Sequence, residues 1–444
     1  MIKKLKPKSE FSKNVLTLMT GTTIAQAIPI AISPILTRIY TPEDFGLLAL
    51  YMAIATIIAV IATGRYELAI MLPKKDSDAV SIVVLSILFS FAVSVVILVL
   101  IFFYNAELAS LLGDNEIRYW LFLLPVTVFI TGTYNALNYW VNRKKGYTDI
   151  SKNKVLQSFT IVATQVSMGL NKMGVAGLIW AGLVGQISAL IFFLRLSWKN
   201  DKKTLKKVSR IKVIALAKRY KDFPLINSWS GLLNTASVQA PIIVLASLFS
   251  STVTGYFSLA QRILQIPMTL LGAAIGQVYF EKATKLKANK SEIKRITLDT
   301  HKKLLIIGLL PTLIILLFGS ELFAFIFGEP WRVAGEYAKL LSVWIFFVFV
   351  SSPLSHLMTI YEKHVESIIF NILLFTSRIG VLFIGWWLMQ DAYQTIAIFG
   401  IVGALLWLGF IFYLMKLAGV SYIETARQIS YTLVLIMPAA YFSF

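Results

Sequence analysis

The chain has no cysteine among its 444 residues. That excludes disulfides, thiolate metal sites and a cysteine nucleophile. Its three histidines, His301, His356 and His364, show no metal-ligand spacing and read as ordinary polar residues near helix ends. No G-x-x-x-x-G-K-[ST] pattern occurs, so the chain has no phosphate-binding loop of the kind that drives ATP-powered pumps. Acids are scarce, 22 against 42 Lys and Arg, and charged residues make up only 14% of the whole. With 57% hydrophobic residues, this is the composition of a polytopic membrane protein. No cofactor or metal is expected.

A net charge of +20 would point to nucleic acid in a soluble protein. Here the positive-inside rule accounts for it, and no nucleic-acid partner is expected. Twelve spans are expected at approximately 13–37, 46–64, 79–104, 119–141, 152–170, 174–196, 223–249, 255–280, 303–319, 337–360, 365–388 and 392–415. With both termini cytoplasmic, roughly 35 of the Lys and Arg fall on the cytoplasmic side and about 5 outside. The lysines of MIKKLKPKSE lead straight into the first span and read as a signal anchor. The basic loops Arg143–Lys154, Lys199–Lys221 and Lys282–Lys303 set topology and meet anionic membrane lipids. Trp120, Trp140, Trp198 and Trp331 sit at span ends, where aromatic belts belong. Residues 430–444 are apolar but short for a span and contain Pro438; they read as an interfacial tail, with a truncated thirteenth span as the alternative.

The chain divides near its middle. The expected organisation is an N-terminal lobe of spans 1–6 (1–198), a basic cytoplasmic linker (199–222), a C-terminal lobe of spans 7–12 (223–418) and an amphipathic or short hydrophobic tail (419–444). The halves echo each other. Glu107–Asp114 after span three is answered by Glu321–Glu329 after span nine, Pro34 by Pro241, and Gly182 and Gly185 by Gly400 and Gly403. Six spans per half make the repeat parallel, and such repeats work by rocking one lobe against the other.

Two arginines, Arg262 and Arg378, lie inside spans with no carboxylate at a matching depth. A cation at a helix centre costs about 2.5–3.5 kcal/mol on insertion scales and usually faces a wet cavity or an anion. Arg262, Gln265, Thr269, Gly272 and Gly276 form one stripe at three- and four-residue steps. Other polar stripes are Thr22, Gln26, Ser33 and Thr37 on span one, Thr131, Asn135, Asn138 and Asn142 on span four, and Asn227, Gly231, Asn234 and Ser237 on span seven; Ser367, Asn371 and Arg378 mark span eleven. For any single Asn or Gln, interhelical hydrogen bonding is the competing role. Guanidinium suits phosphate because its planar donors engage two oxygens together. Arg65 lies at the end of span two beside Glu67, where a local ion pair and a substrate contact remain alternatives. Glu67 is the acid closest to a span interior and the coupling-ion candidate. Pro29, Pro34, Pro125, Pro267 and Pro311 are expected to kink their spans. No external loop exceeds roughly twenty residues or offers a catalytic constellation, so a transporter rather than an enzyme is expected.

The runs SPILTRIYTPEDFG (Ser33–Gly46), GRYELAIMLP (Gly64–Pro73), Leu259–Thr284 and LFAFIFGEPWRVAGEYAKLL (Leu322–Leu341) resemble the Wzx-type polysaccharide (O-antigen or capsule repeat unit) flippases of the multidrug/oligosaccharidyl-lipid/polysaccharide exporter superfamily. The resemblance spans essentially the whole chain. It implies an all-α, MATE-like fold of about twelve transmembrane helices in two pseudo-symmetric six-helix lobes around a cationic cavity. It also implies movement of an undecaprenyl-pyrophosphate-linked oligosaccharide across the bacterial cytoplasmic (inner) membrane for lipopolysaccharide or related surface polymers, with a polysaccharide polymerase and chain-length regulator as partners. In the related lipid II flippases an arginine in the same Ala-x-Arg…Pro setting is implicated in pyrophosphate binding, and Arg262 matches it. The chain departs from that group in span one, which offers Gln26 and no charge between Lys13 and Arg38. On this reading Arg262, Arg378, Arg65, Gln26, Gln265, Asn227 and Asn234 contact substrate. The alternatives are a cation-coupled multidrug exporter of the same superfamily, which would want cavity carboxylates, and a non-transporting scaffold of the polysaccharide machinery.

Overall fold

The computed structural model describes residues 10–205 and 207–441, and every regular element in them is helical. Each expected span is a helical stretch. Nine helices among the described residues are long and apolar enough to cross a membrane, from Thr17–Ile39 to Ala392–Leu417. The remaining expected spans, 119–141, 152–170 and 255–280, are helical too: Leu124–Arg143, Tyr147–Leu170, and the run Ser251–Leu264, Met268–Gly272, Ala273–Lys285. Asn, Thr and charged residues lower the hydropathy of the first two, and the third is interrupted at Gln265, which leaves α-helical pieces of 14 and 13 residues.

The chain forms two compact units, Met1–Ile243 and Val244–Phe444. The division falls inside the helix Ser228–Leu248, because the turn Phe223–Asn227 that precedes it packs against the short helix Tyr66–Ala69 of the first unit. In the first unit the helix Leu124–Arg143 is central, touching Pro42–Ile61, Asp76–Leu111, Tyr147–Leu170 and Val175–Leu205. In the second unit Arg332–Leu354 takes the same place, against Ser251–Leu264, Ala273–Lys285, Lys290–Phe327 and Ala392–Leu417. These are the fourth and tenth spans, equivalent in the sequence repeat.

Matching signals end and start matching helices. Gly113 (φ +76°) follows Asp76–Leu111 and Gly328 (φ +102°) follows Lys290–Phe327, each at a φ that favours glycine at a helix C-terminus. Thr41 caps Pro42–Ile61 by accepting from the Asp44 N–H, and Ser250 caps Ser251–Leu264 by accepting from the Val253 N–H.

Two expectations change. Pro125 stands in the first turn of Leu124–Arg143, where a missing N–H costs nothing, so it starts a helix instead of kinking one. The apolar stretch from 430 is not a separate short segment: within the expected tail 419–444 a 20-residue helix, Tyr422–Tyr441, runs through Pro438 and packs along Lys290–Phe327. His301 is fully buried in that contact, its Nδ1 2.6 Å from Gln428 Oε1, and Lys294 Nζ lies 2.8 Å from Glu424. The Lys294 contact, helped by the Ser421 N–H, holds the Glu424 carboxyl down at about 2.

The tightest helix approach in the second unit joins Lys290–Phe327 to Arg332–Leu354. A Cβ on Gly335 would stand 2.3 Å from the Gly319 carbonyl oxygen and 2.7 Å from Ser320 Cα. Backbone cannot swing aside as a side chain can. Gly335→Ala should therefore lower stability by about 1–3 kcal/mol, read as a fall in Tm of the detergent-purified protein. Gly409→Ala, which meets open space, should leave Tm unchanged or raise it.

Candidate functional site

In the first unit the chain leaves Pro42–Ile61 through a sharp bend. Gly64 (φ +57°) and Arg65 (φ +59°) both take the left-handed conformation, which an arginine adopts rarely. Glycine is needed at 64 for a second reason, since a Cβ there would press on the Phe89 ring at 3.0 Å. The bend seats the four-residue helix Tyr66–Ala69, with Glu67 buried. Thr63 Oγ1 donates to Glu67 Oε2, and Arg65 Nη1 lies 3.7 Å from Glu67 Oε1. Of the two roles open to Arg65, the ion pair is therefore present, but at a length that leaves the guanidinium's donors uncommitted. Its Nε is buried without an acceptor among the described residues.

Arg65 and Glu67 share a cavity of about 280 Å³ with Thr56, Thr127, Thr131, Asn135 and Gln186. Thr131 Oγ1 donates to Gln186 Oε1 at 3.1 Å. The cavity thus joins a cation, an acid, hydroxyls and amides on an otherwise apolar wall of Met52, Ala55, Ala59 and Val60. Such a lining suits a polar ligand with anionic and hydroxyl groups. Gly231 packs against Arg65 from the helix Ser228–Leu248, and a Cβ there would meet Nη2 at 2.3 Å. Asn227 and Asn234 lie one turn to either side of Gly231, both exposed. Thr63 and Gln186 escape sequence reasoning, whereas Gly231 stands in the expected stripe of span seven; for Thr63 the four-residue step to Glu67 is the local signal.

The stripe on span one divides. Ser33 and Thr37 donate to backbone carbonyls one turn back, Thr22 accepts from Lys154, and Gln26 is exposed.

In the second unit span eight is broken. The helix Ser251–Leu264 stops at Gln265, a π turn spans Met268–Gly272, and α-helix resumes at Ala273. Pro267 lacks the N–H that would continue the ladder to the Ile263 carbonyl, and π turns of this kind recur at functional positions. Arg262 stands in the last turn before the break, exposed, with no hydrogen bond or ion pair among the described residues. Beside the break an apolar cavity of about 360 Å³ is lined by Ile266, Pro267, Pro311, Ile345 and Phe349 among others. Arg378 lies elsewhere in this unit, its guanidinium 5.7 Å from the centre of the Trp344 ring.

The structure thus brings Arg65, Glu67 and the Asn227–Asn234 face together in one unit, and Arg262 with Gln265 at the break in the other. Arg378 and Gln26 join neither group. No set of three or more His, Asp or Glu among the described residues could hold a metal ion.

The pattern of a family described as polysaccharide biosynthesis protein matches residues 35–336. The chain belongs to that family. No curated protein is similar to it in sequence. Among solved structures, the lipid II flippase MurJ in an inward closed conformation is similar at a TM-score of 0.70 and 12% identity, covering 96% of this chain and 98% of that one. An inward-facing MATE family multidrug resistance transporter of the MOP superfamily is similar at 0.67 and 18%, covering 94% and 95%. A MOP superfamily transporter from Pyrococcus furiosus is similar at 0.56 and 16%, covering 95% and 94%. Identities this low speak for the fold alone. This polysaccharide biosynthesis protein is a multi-pass, all-helical membrane protein with the MOP-superfamily fold.

Burial pushes the Glu67 carboxyl above its ordinary value of 4.5, opposed by the Thr63 hydrogen bond and by Arg65. Glu67 lies in the bend between the candidate spans Pro42–Ile61 and Asp76–Leu111. A carboxyl raised on folding keeps its proton in the folded chain over a window in which the unfolded chain has lost it. Its contribution to stability therefore falls as pH rises from 4.5 through the raised value. Glu67→Gln should flatten that part of the profile of Tm between pH 4.5 and neutrality. Equal slopes in variant and parent would mean that Glu67 does not titrate there.

Proposed function

We propose that this protein is a flippase that carries an undecaprenyl-pyrophosphate-linked oligosaccharide repeat unit from the cytoplasmic to the periplasmic leaflet of the inner membrane. It works by alternating access of its two halves. The observation that carries the reading is Arg262, a guanidinium with no hydrogen bond or ion pair among the described residues, beside a helix break in a chain of a polysaccharide biosynthesis family. Its planar donors match a diphosphate. Arg65, with the Thr131–Gln186 pair and Asn135, adds a second cationic and hydroxyl-compatible lining, and Gln26, Gln265, Asn227, Asn234 and Arg378 complete the proposed contacts. Both termini are cytoplasmic on this reading. The product feeds O-antigen or similar surface polymers, with a polymerase and chain-length regulator acting next.

Glu67 is the coupling-ion candidate. It is also the one observation favouring a cation-coupled multidrug exporter, since it is the buried carboxylate among the described residues. One acid facing an arginine at 3.7 Å is a poor holder of cationic drugs, so the flippase reading is preferred.

Loss of the gene should leave lipid-linked repeat units on the cytoplasmic face and abolish surface polysaccharide, with wild type restoring it. A charge-assisted contact is worth about 1.5–3 kcal/mol, so Arg262→Ala at equal expression should cut flux at least about tenfold. Arg262→Lys should recover part, keeping the charge but not the fork. Full complementation by Arg262→Ala would sink the anion site; unchanged polysaccharide with altered drug resistance in the deletion would favour the exporter.

Gly231→Leu tests the first unit independently. The new side chain must displace the Arg65 guanidinium, a flexible end that can move. The variant should keep its Tm yet lose transport as Arg65→Ala does. Normal transport by Gly231→Leu would remove Arg65 from the substrate path.

A further inference from the structure

The helix Arg210–Arg219 in the basic segment after Val175–Leu205 has two unlike faces. Ser209 caps it, accepting from the Lys212 N–H. Val213 and Leu216 are buried against the first unit, and the helix packs along Asp76–Leu111, where Lys212 pairs with Asp78 at 3.6 Å. Its outward face carries Ile211, 82% exposed, and Ile214, 48% exposed, one turn apart and bracketed by exposed Arg210, Lys218 and Arg219. Bare isoleucines framed by cations are the pattern of a helix lying in a lipid headgroup layer. An acyl boundary covers the isoleucines and anionic headgroups neutralise the bracket, which neither water nor neutral lipid does.

The buried face leads somewhere specific. Tyr66 Oη donates to the Ala217 carbonyl at 3.2 Å, and Tyr66 and Leu216 belong to one apolar cluster with Tyr220 and Phe223 packed against it. Tyr66 stands between Arg65 and Glu67 in the chain. The seat of the amphipathic helix is therefore fastened to the bend that aims both side chains into the cavity.

We infer that Arg210–Arg219 is a docking surface for an anionic phospholipid bilayer, and that its seating on that surface sets the order of the bend carrying Arg65 and Glu67. Tyr66 is the positioning residue between them. The inference rests on the flippase reading only for what the bend does; the contact and its transmission stand apart from it.

The absence of native cysteine makes a single reporter simple. Ile211→Cys carrying an environment-sensitive fluorophore is placed in vesicles of phosphatidylcholine, or of phosphatidylcholine with phosphatidylglycerol, without any transported substrate. The emission should shift to the blue in the anionic vesicles and revert in high salt. Neutralising Arg210, Lys218 and Arg219 to Gln should abolish the shift, at about fivefold in lipid affinity per cation. In the same vesicles, hydrogen exchange of residues 62–75 should slow with phosphatidylglycerol in the parent and not in Tyr66→Phe, a variant that keeps the ring packing.

Identical emission in both vesicles overturns the proposal. So does an emission shift that tracks protein concentration instead of lipid charge, which would assign the face to a second copy of the chain. Exchange of 62–75 that ignores phosphatidylglycerol, or responds equally in Tyr66→Phe, overturns the transmission. Because no substrate enters either measurement, failure of the flippase reading would leave these outcomes unchanged.

Discussion

A helix that crosses lipid satisfies its own backbone, and any interruption must find polar company elsewhere. That constraint organises this molecule. Regular helix is abandoned at Gly64–Arg65, at Phe223–Asn227 and between Gln265 and Gly272. Each break carries residues singled out for polarity: Arg65 and Glu67, Asn227, and Arg262 with Gln265. Irregular backbone and buried charge are both costly in a bilayer. Placing them together concentrates the cost where a polar lining already exists, as the cavity around Arg65 illustrates. The most apolar of the unbroken helices, such as Asp76–Leu111, need no such company.

The two units solve the same packing problem in the same way. A fourth or tenth span sits centrally, and the long helix before it ends on a glycine at positive φ. The repeat then diverges at its breaks. In the first unit the second span bends through two left-handed residues; in the second unit its counterpart breaks through Pro267 and a π turn. A left-handed pair turns the chain sharply and buries Glu67. The break at Pro267 leaves Arg262 exposed in the last turn of a helical segment. Equivalent spans thus present a paired acid and base in one half and, among the described residues, an unpaired base in the other.

Spans were legible because apolar length alone defines them. The helices Leu124–Arg143 and Tyr147–Leu170 were legible through charge bias and the repeat, since their composition is mixed, and the broken span from Ser251 to Lys285 through the apolar length on either side of Arg262. Proline marked the break at Pro267 but misled at Pro125, because proline at a first turn and proline mid-helix look alike in sequence. The Arg65 conformation left no trace, arginine being no turn former. Partners distant in the chain, such as Trp344 for Arg378 and Gln428 for His301, depend on helix packing that no local period encodes. The apolar stretch from 430 is short for a span by itself, and packing along Lys290–Phe327, which no local period encodes, joins it to the polar turns before it in one helix that passes Pro438.

Two in-span arginines that looked equivalent are separated by their surroundings. Arg378 lies over the Trp344 ring, and a desolvated cation–π contact is worth about 2 kcal/mol or more. That offsets most of the roughly 2.5–3.5 kcal/mol that insertion scales assign to a central cation. Arg378 is thereby largely accommodated by its own lobe. Arg262 has no comparable offset among the described residues, and its side chain is exposed. Its five N–H donors are therefore open to an acceptor from outside the protein. A diphosphate supplies that acceptor in a bidentate geometry, whereas a cationic drug adds a second like charge. The sign of the unpaired charge, more than the fold shared with drug exporters, is what favours an anionic lipid headgroup as the cargo.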